Sequence, residues 1–178
     1  ATLKANGYAE GKDLFTFPYD WRQSNVITAV QLRDKINEVQ NVCQCAKVDL
    51  VAHSMGGLIA RQYIQSANYE NDVDQLIMLG TPNKGSAKAY PAWEGGEPPS
   101  DTAWKIAAAF IWNRARAVGI SRFDYIRSYV QSARDLLPTY PYLLDLSRDP
   151  INQFIPVDEM FEQNLNLKLL NSILPDLL

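Results

Sequence analysis

Apolar positions in the first half of the chain fall into two kinds of run. Leu14-Phe15-Thr16-Phe17-Pro18-Tyr19, Val48 to Ala52 and Val73 to Leu79 are short runs bounded by polar or turn-forming residues, and each predicts a strand. Between them the spacing becomes helical. Leu32, Ile36, Val39 and Cys43 fall four, three and four residues apart, on one helical face. Ser24 is placed to cap that helix, which is expected to reach about Val42. A second helix is expected from Gly57 to about Ala67, before the polar turn Tyr69-Glu70-Asn71-Asp72.

The order is therefore strand, helix, strand, helix, strand. Such alternation predicts an α/β fold in which a parallel sheet is flanked by helices. Ligands of parallel sheets bind beyond the carboxyl ends of the strands. Ser54 and Thr81 both stand at such ends.

After Gly85 the pattern changes. Pro91 to Ser100 is rich in glycine and proline and reads as a loop. Asp101 is placed to cap a helix from Thr102 to Val118 that stops at Gly119. Another helix is expected from Ser121 or Asp124 to about Leu137, and a last one from Asp158 to about Leu174; no strand is expected here. The organisation implied is residues 1–87 as an incomplete α/β core and residues 88–178 as a helical cap or lid. Trp104, Ile106, Phe110, Ile111 and Trp112 make the densest apolar cluster of that cap. A helix apolar over so wide an arc is ordinarily buried. A lid that closes an acyl pocket and opens at a lipid interface buries the same residues.

Composition narrows the partners. The chain has 178 residues, 47% hydrophobic and 21% charged, with net charge −3, enough for one domain with a core. It carries no dense basic cluster, which excludes nucleic acid as the main partner. No apolar run approaches the ~20 residues of a transmembrane helix. The stretch from Ala1 to Asp13 has no apolar core of a secretory signal. Cys43 and Cys45 are separated by one residue, where a bridge is expected to be strained, so both are expected as free thiols. Two thiols without neighbouring histidines do not make a zinc site. No cofactor or metal is expected.

The candidate chemistry sits between the second strand and the second helix. Ala52-His53-Ser54-Met55-Gly56 matches the G-x-S-x-G nucleophile elbow with alanine in the first position. In an elbow, a sharp strand-to-helix turn lifts the serine above the sheet, and small residues on either side let the chain pass. Ser54 is the candidate nucleophile. Gly56 and Gly57 are expected to allow close backbone approach. A phosphate loop at Gly80-Thr81-Pro82-Asn83-Lys84-Gly85-Ser86 is a poor alternative, because Ser86 stands where that loop needs its lysine.

Three stretches together resemble the lecithin–cholesterol acyltransferase family of α/β-hydrolases. They are Asp13-Leu14-Phe15 through Tyr19-Asp20-Trp21-Arg22, then Val51 to Gly56, then Leu79 to Gly85; Leu136 to Tyr140 is similar to its cap segment. The resemblance implies a partial α/β-hydrolase acting on lipid or other ester substrates through an acyl-enzyme, by hydrolysis or by acyl transfer to an alcohol. Ser54 would attack the ester carbonyl and the Met55 backbone N–H would donate to the oxyanion. Tyr19 to Arg22 would be structural, with Arg22 paired to a carboxylate.

The chain departs from that family in one decisive respect. A triad of this fold runs serine, acid, histidine along the chain, yet the single histidine is His53, before the nucleophile. His53 neighbours Ser54 directly, so its side chain is expected to point away from the reacting face. An earlier strand and its oxyanion loop would also precede residue 1. The expectation is a central fragment with little or no turnover of its own. Its unpaired strand edges would invite a dimer, and interfacial lipid contact through the cap is a further expectation. The rival reading is a non-catalytic hydrolase-like module that binds lipid or a protein.

Overall fold

Two of the three expected strands find each other in the computed structural model, which describes residues 2–97, 102–147 and 153–173. The Asp101 cap, the Trp104 side chain and the expected helix end at Leu174 lie outside the described residues. Two compact units result, residues 1–20 with 25–81 and residues 21–24 with 82–178.

In the first unit, β1 (Val48–His53) and β2 (Val73–Leu79) run parallel, with Leu50 opposite Leu76 and Ala52 opposite Met78. A short helix α1 (Thr2–Ala5) precedes them, and α2 (Asn25–Cys43) and α3 (Met55–Ile64) supply the packing. Side chains alternate across a strand, so Val48, Leu50 and Ala52 share one face. That face packs on Ala29, Leu32 and Ile36 of α2 and Ile59, Ala60 and Tyr63 of α3. The other face carries Val51, Ile77 and Leu79, all about half exposed. The Tyr63 hydroxyl donates to Asp72 Oδ2 at 2.7 Å, tying α3 to the entry of β2. Burial, and secondarily that bond, hold the Tyr63 phenol far above its ordinary pKa.

The expected strand at Leu14 to Tyr19 is not one. Its chain carries only an isolated bridge between Glu10 and Leu14. Phe17 and Tyr19 still reach the core, their rings stacked at 5.6 Å. The apolar side chains therefore reach the core, but a strand also needs a continuous neighbour for its backbone groups, and beyond the bridge at Leu14 no described residue pairs with this segment.

The expectation of free thiols is also overturned. Cys43 and Cys45 form a disulfide, with Cα atoms 5.2 Å apart. The reason is local: α2 ends at Cys43, and Gln44 takes a positive φ of 55°. That reversal brings the two Cα atoms within the 4.4–6.8 Å range a disulfide spans.

The second unit is helical, as expected, with differences at its joints. A helix α4 (Ala89–Gly95) replaces the first part of the expected loop. Pro91 is tolerated there because it lies in the first turn, where backbone N–H groups have no helical partner. α5 (Thr102–Val118) stops at Gly119, whose φ is 71°. α6 (Arg122–Tyr129) starts at Ser121, whose side chain accepts from the Asp124 N–H at 3.0 Å. The single helix expected to follow breaks at buried Val130 (φ −127°, ψ 63°), and α7 (Ser132–Asp135) resumes after it. Two-residue strands β3 (Leu144–Asp145) and β4 (Gln153–Phe154) pair antiparallel where no strand was expected.

The last helix, α8 (Leu165–Ile173), begins later than expected, after a 3-10 turn at Val157–Glu159. Asn164 sets its start, accepting from the Leu167 N–H while donating to the carbonyls of Asp135 and Leu137. Trp93, Ile111, Tyr125, Ile126 and Leu137 form the core of this unit. Beside it Arg127 bridges Glu94 and Glu162 at 2.9 and 3.0 Å, its guanidinium lying over the rings of Trp93 and Phe123.

Candidate active site

Ser54 is held at the end of β1 in a conformation serine seldom adopts, φ 53° and ψ −126°. Its N–H donates to the Leu79 carbonyl at 2.9 Å, and its own carbonyl accepts from the Gly57 N–H at 3.1 Å. The turn is thus fastened on one side to the sheet and on the other to the first turn of α3. A serine preceding a helix usually sits in extended backbone and accepts from the helix N–H groups. Ser54 makes no such side-chain bond. The hydroxyl is left free, at the cost of a backbone conformation worth about 1–3 kcal/mol of strain.

The small residues around it have distinct tasks. A Cβ on Gly57 would overlap Thr81 Oγ1 and stand 2.7 and 2.8 Å from Thr81 Cγ2 and Cβ. At Gly57, therefore, α3 comes close against the chain leaving β2. The expectation that Gly56 serves the same end is corrected. A Cβ there would meet Tyr19 Oη at 3.8 Å and the Ala52 methyl at 3.9 Å, ordinary contacts. The same spacing explains the alanine at position 52: with glycine opposite, its methyl fits.

Met55 is the first residue of α3, where helical N–H groups lack intrahelical acceptors and the helix dipole is positive. His53 is the last residue of β1, exposed and in alternation with Val51 on the uncovered sheet face. Among the described residues no hydrogen bond joins it to Ser54. The Tyr19 hydroxyl lies against Gly56, and burial raises the Tyr19 pKa above its ordinary value. Thr81, whose hydroxyl is buried without a hydrogen-bond partner among the described residues, presses on Gly57. Neither contact was expected from the sequence. The position of Thr81 at a strand end was the only available signal for one of them. Arg22 places its guanidinium 5.3 Å from the centre of the Phe110 ring. Among the described residues no group of histidine, cysteine or carboxylate side chains is disposed to hold a metal.

A parallel strand, a serine at positive φ and a helix that returns to the next parallel strand are the strand–turn–helix arrangement of an α/β-hydrolase fold. The chain belongs to the lecithin:cholesterol acyltransferase family, whose sequence profile matches residues 1–103. It is 36% identical over 84 residues to lecithin-cholesterol acyltransferase-like 4 of Arabidopsis thaliana, covering 45% of this chain and 16% of that protein. It is 32% identical over 97 residues to human lysosomal phospholipase A and acyltransferase, covering 51% of this chain and 23% of that protein. The chain thus spans under a quarter of either relative. Among solved structures, one in the Tle4–Tli4 complex aligns over 70% of this chain and 25% of its own, at 24% identity and a TM-score of 0.45.

Proposed function

We propose that this chain carries the nucleophile of a lipid-ester hydrolase or O-acyltransferase that works through an acyl-enzyme. Ser54 at φ 53° with an uncommitted hydroxyl carries the reading. A buried structural serine would use that hydroxyl to cap α3. In the first step Ser54 Oγ bonds to the ester carbonyl carbon, its proton passes to a base, and the carbonyl oxygen becomes an oxyanion. The Met55 N–H and the positive end of α3 stabilise that oxyanion. Collapse breaks the ester C–O bond, the departing oxygen takes that proton back from the base as the alcohol leaves, and the acyl group stays on Ser54 until water or a second alcohol removes it. Residues 1–87 form the catalytic part and residues 88–178 its cap.

The base is not His53. An imidazole on the uncovered face of the sheet, and bonded to nothing at Ser54, cannot accept its proton without rebuilding the end of β1. These 178 residues alone are therefore proposed to be without turnover. The same observation supports the rival reading, a hydrolase-like module that binds lipid or protein without chemistry.

Labelling with a fluorophosphonate, located by peptide mass mapping, decides between them. It is applied to this chain, to its Ser54→Ala variant and to any longer natural polypeptide containing these residues. Label at Ser54 only in the longer polypeptide, lost in the variant, is the expected result. Label at Ser54 in the 178 residues alone overturns the assignment of the base. No label in either form leaves the binding module.

A further inference from the structure

The expected burial of the α5 apolar cluster holds for only one narrow side of the helix. Ala108, Ile111 and Ala115, spaced three and four apart, are 7%, 2% and 2% exposed. At 100° per residue the opposite side carries Ile106, Ala109, Phe110, Asn113 and Ala117. Ile106 is 79% exposed and Phe110 42%. This outward side is apolar but for one amide.

Cations edge that stripe on both sides. Lys105 and Arg116 fall along one margin and Arg114 along the other, by the same helical rotation. Guanidinium groups lie over the exposed rings: Arg114 is 5.9 Å from the Phe110 centroid, and Arg122, at the start of α6, is 4.9 Å from that of Trp112, itself 45% exposed. From Lys105 to Phe123 the sequence holds four cations and no carboxylate, a local charge of +4 in a chain of net −3. None of the four makes an ion pair among the described residues.

We propose that this outward side of α5, with the start of α6, docks on an anionic lipid surface. An apolar stripe edged by arginine and lysine, with Trp and Phe at its margins, lies in the plane of a membrane with stems buried and charges at the headgroups. The helix is not one that crosses: no described helix is long and apolar enough to do so. Pairing of this surface with itself in a second copy is disfavoured, because it would bring +4 against +4. A nucleic acid leaves Ile106 and Phe110 without a task. Most of α5 and all of α6 lie beyond the residues the family profile matches.

The test is flotation of the whole chain, as its Ser54→Ala variant, with vesicles of phosphatidylcholine alone or with ~25% phosphatidylserine. Using that variant keeps the outcome separate from the acyl-enzyme reading. Binding is expected on the anionic vesicles, weakening as salt is raised. The double variant Arg114→Glu, Arg116→Glu should lower it by at least ~10-fold, since each surface cation contributes roughly fivefold. Ile106→Ser, on a side chain the fold does not bury, should weaken it while leaving circular dichroism and the unfolding midpoint unchanged. Equal binding to both vesicle types, no binding to either, or loss of a dimer rather than of lipid binding in Ile106→Ser each overturns the proposal.

Discussion

Adding one methyl group at Gly57 tests how tightly the elbow is built. The new Cβ would overlap Thr81 Oγ1 and stand 2.7 and 2.8 Å from Cγ2 and Cβ, where ordinary contact begins near 3.4 Å. Rotating Thr81 moves its oxygen and methyl aside but leaves its Cβ where it is. α3 must therefore shift from the chain leaving β2 by several tenths of an ångström. Overpacking of this kind costs about 1–3 kcal/mol, against a helix-propensity gain of about 1 kcal/mol for alanine over glycine. Gly57→Ala should be destabilised by about 1–2 kcal/mol net. Because the shift starts three residues from Ser54, labelling by fluorophosphonate in a reactive longer form should slow more than stability suggests, by up to ~100-fold.

Gly56→Ala is the internal control. Its methyl finds contacts at 3.8 and 3.9 Å and should be neutral or stabilising by up to ~1 kcal/mol. Urea unfolding of both variants, with Thr81→Gly added to Gly57→Ala as a rescue, gives the comparison. The reasoning is wrong if Gly57→Ala is as stable as the parent or if Gly56→Ala is the more damaging change.

Two further outcomes follow from named contacts. Ser54→Gly removes the side chain from a positive-φ position and should stabilise the chain by ~1 kcal/mol in urea unfolding, while Ser54→Ala should not; equal stability of the two would show that the turn stores no strain. Tyr142 is raised from 10.0 to about 12, first by burial and then by the neighbouring Tyr90, Glu94 and Glu162. Its contribution to stability is therefore full below pH 10 and lost as pH rises towards 12. Tyr142→Phe should flatten that alkaline decline; an unchanged slope in unfolding midpoint against pH would assign the loss to other groups.

The elbow was legible because its signals are local. Ala52, Ser54 and Gly56 name the turn, and the apolar run before it names the strand. The helix at Asn25–Cys43 was legible for the same reason, since Leu32 and Ile36 repeat on one face. What the sequence hid depended on partners elsewhere. Leu14 to Tyr19 has the apolar run of a strand and, beyond the bridge at Leu14, none of its pairing. The break at Val130 and the late start of α8 are set by Val130 and Asn164 packing within the second unit, beyond any local pattern. The task of Gly57 needed Thr81 beside it. α5 misled for another reason: apolar residues on a wide arc describe either a core helix or an interfacial one, and only exposure separates them.

The hydrogen bond from the Ser54 N–H to the Leu79 carbonyl also bears on how the protein folds. Its two ends are separated in sequence by all of α3 and β2, so the turn at Ser54 is not a property of the peptide that spells it. The loop must close and β1 must find β2 before the serine is held at positive φ. Non-local pairing of parallel strands is slow compared with helix formation. The geometry proposed for the nucleophile therefore arrives late, with the sheet rather than with the helix, and a chain that has formed α3 but not paired its strands has the helix without the turn.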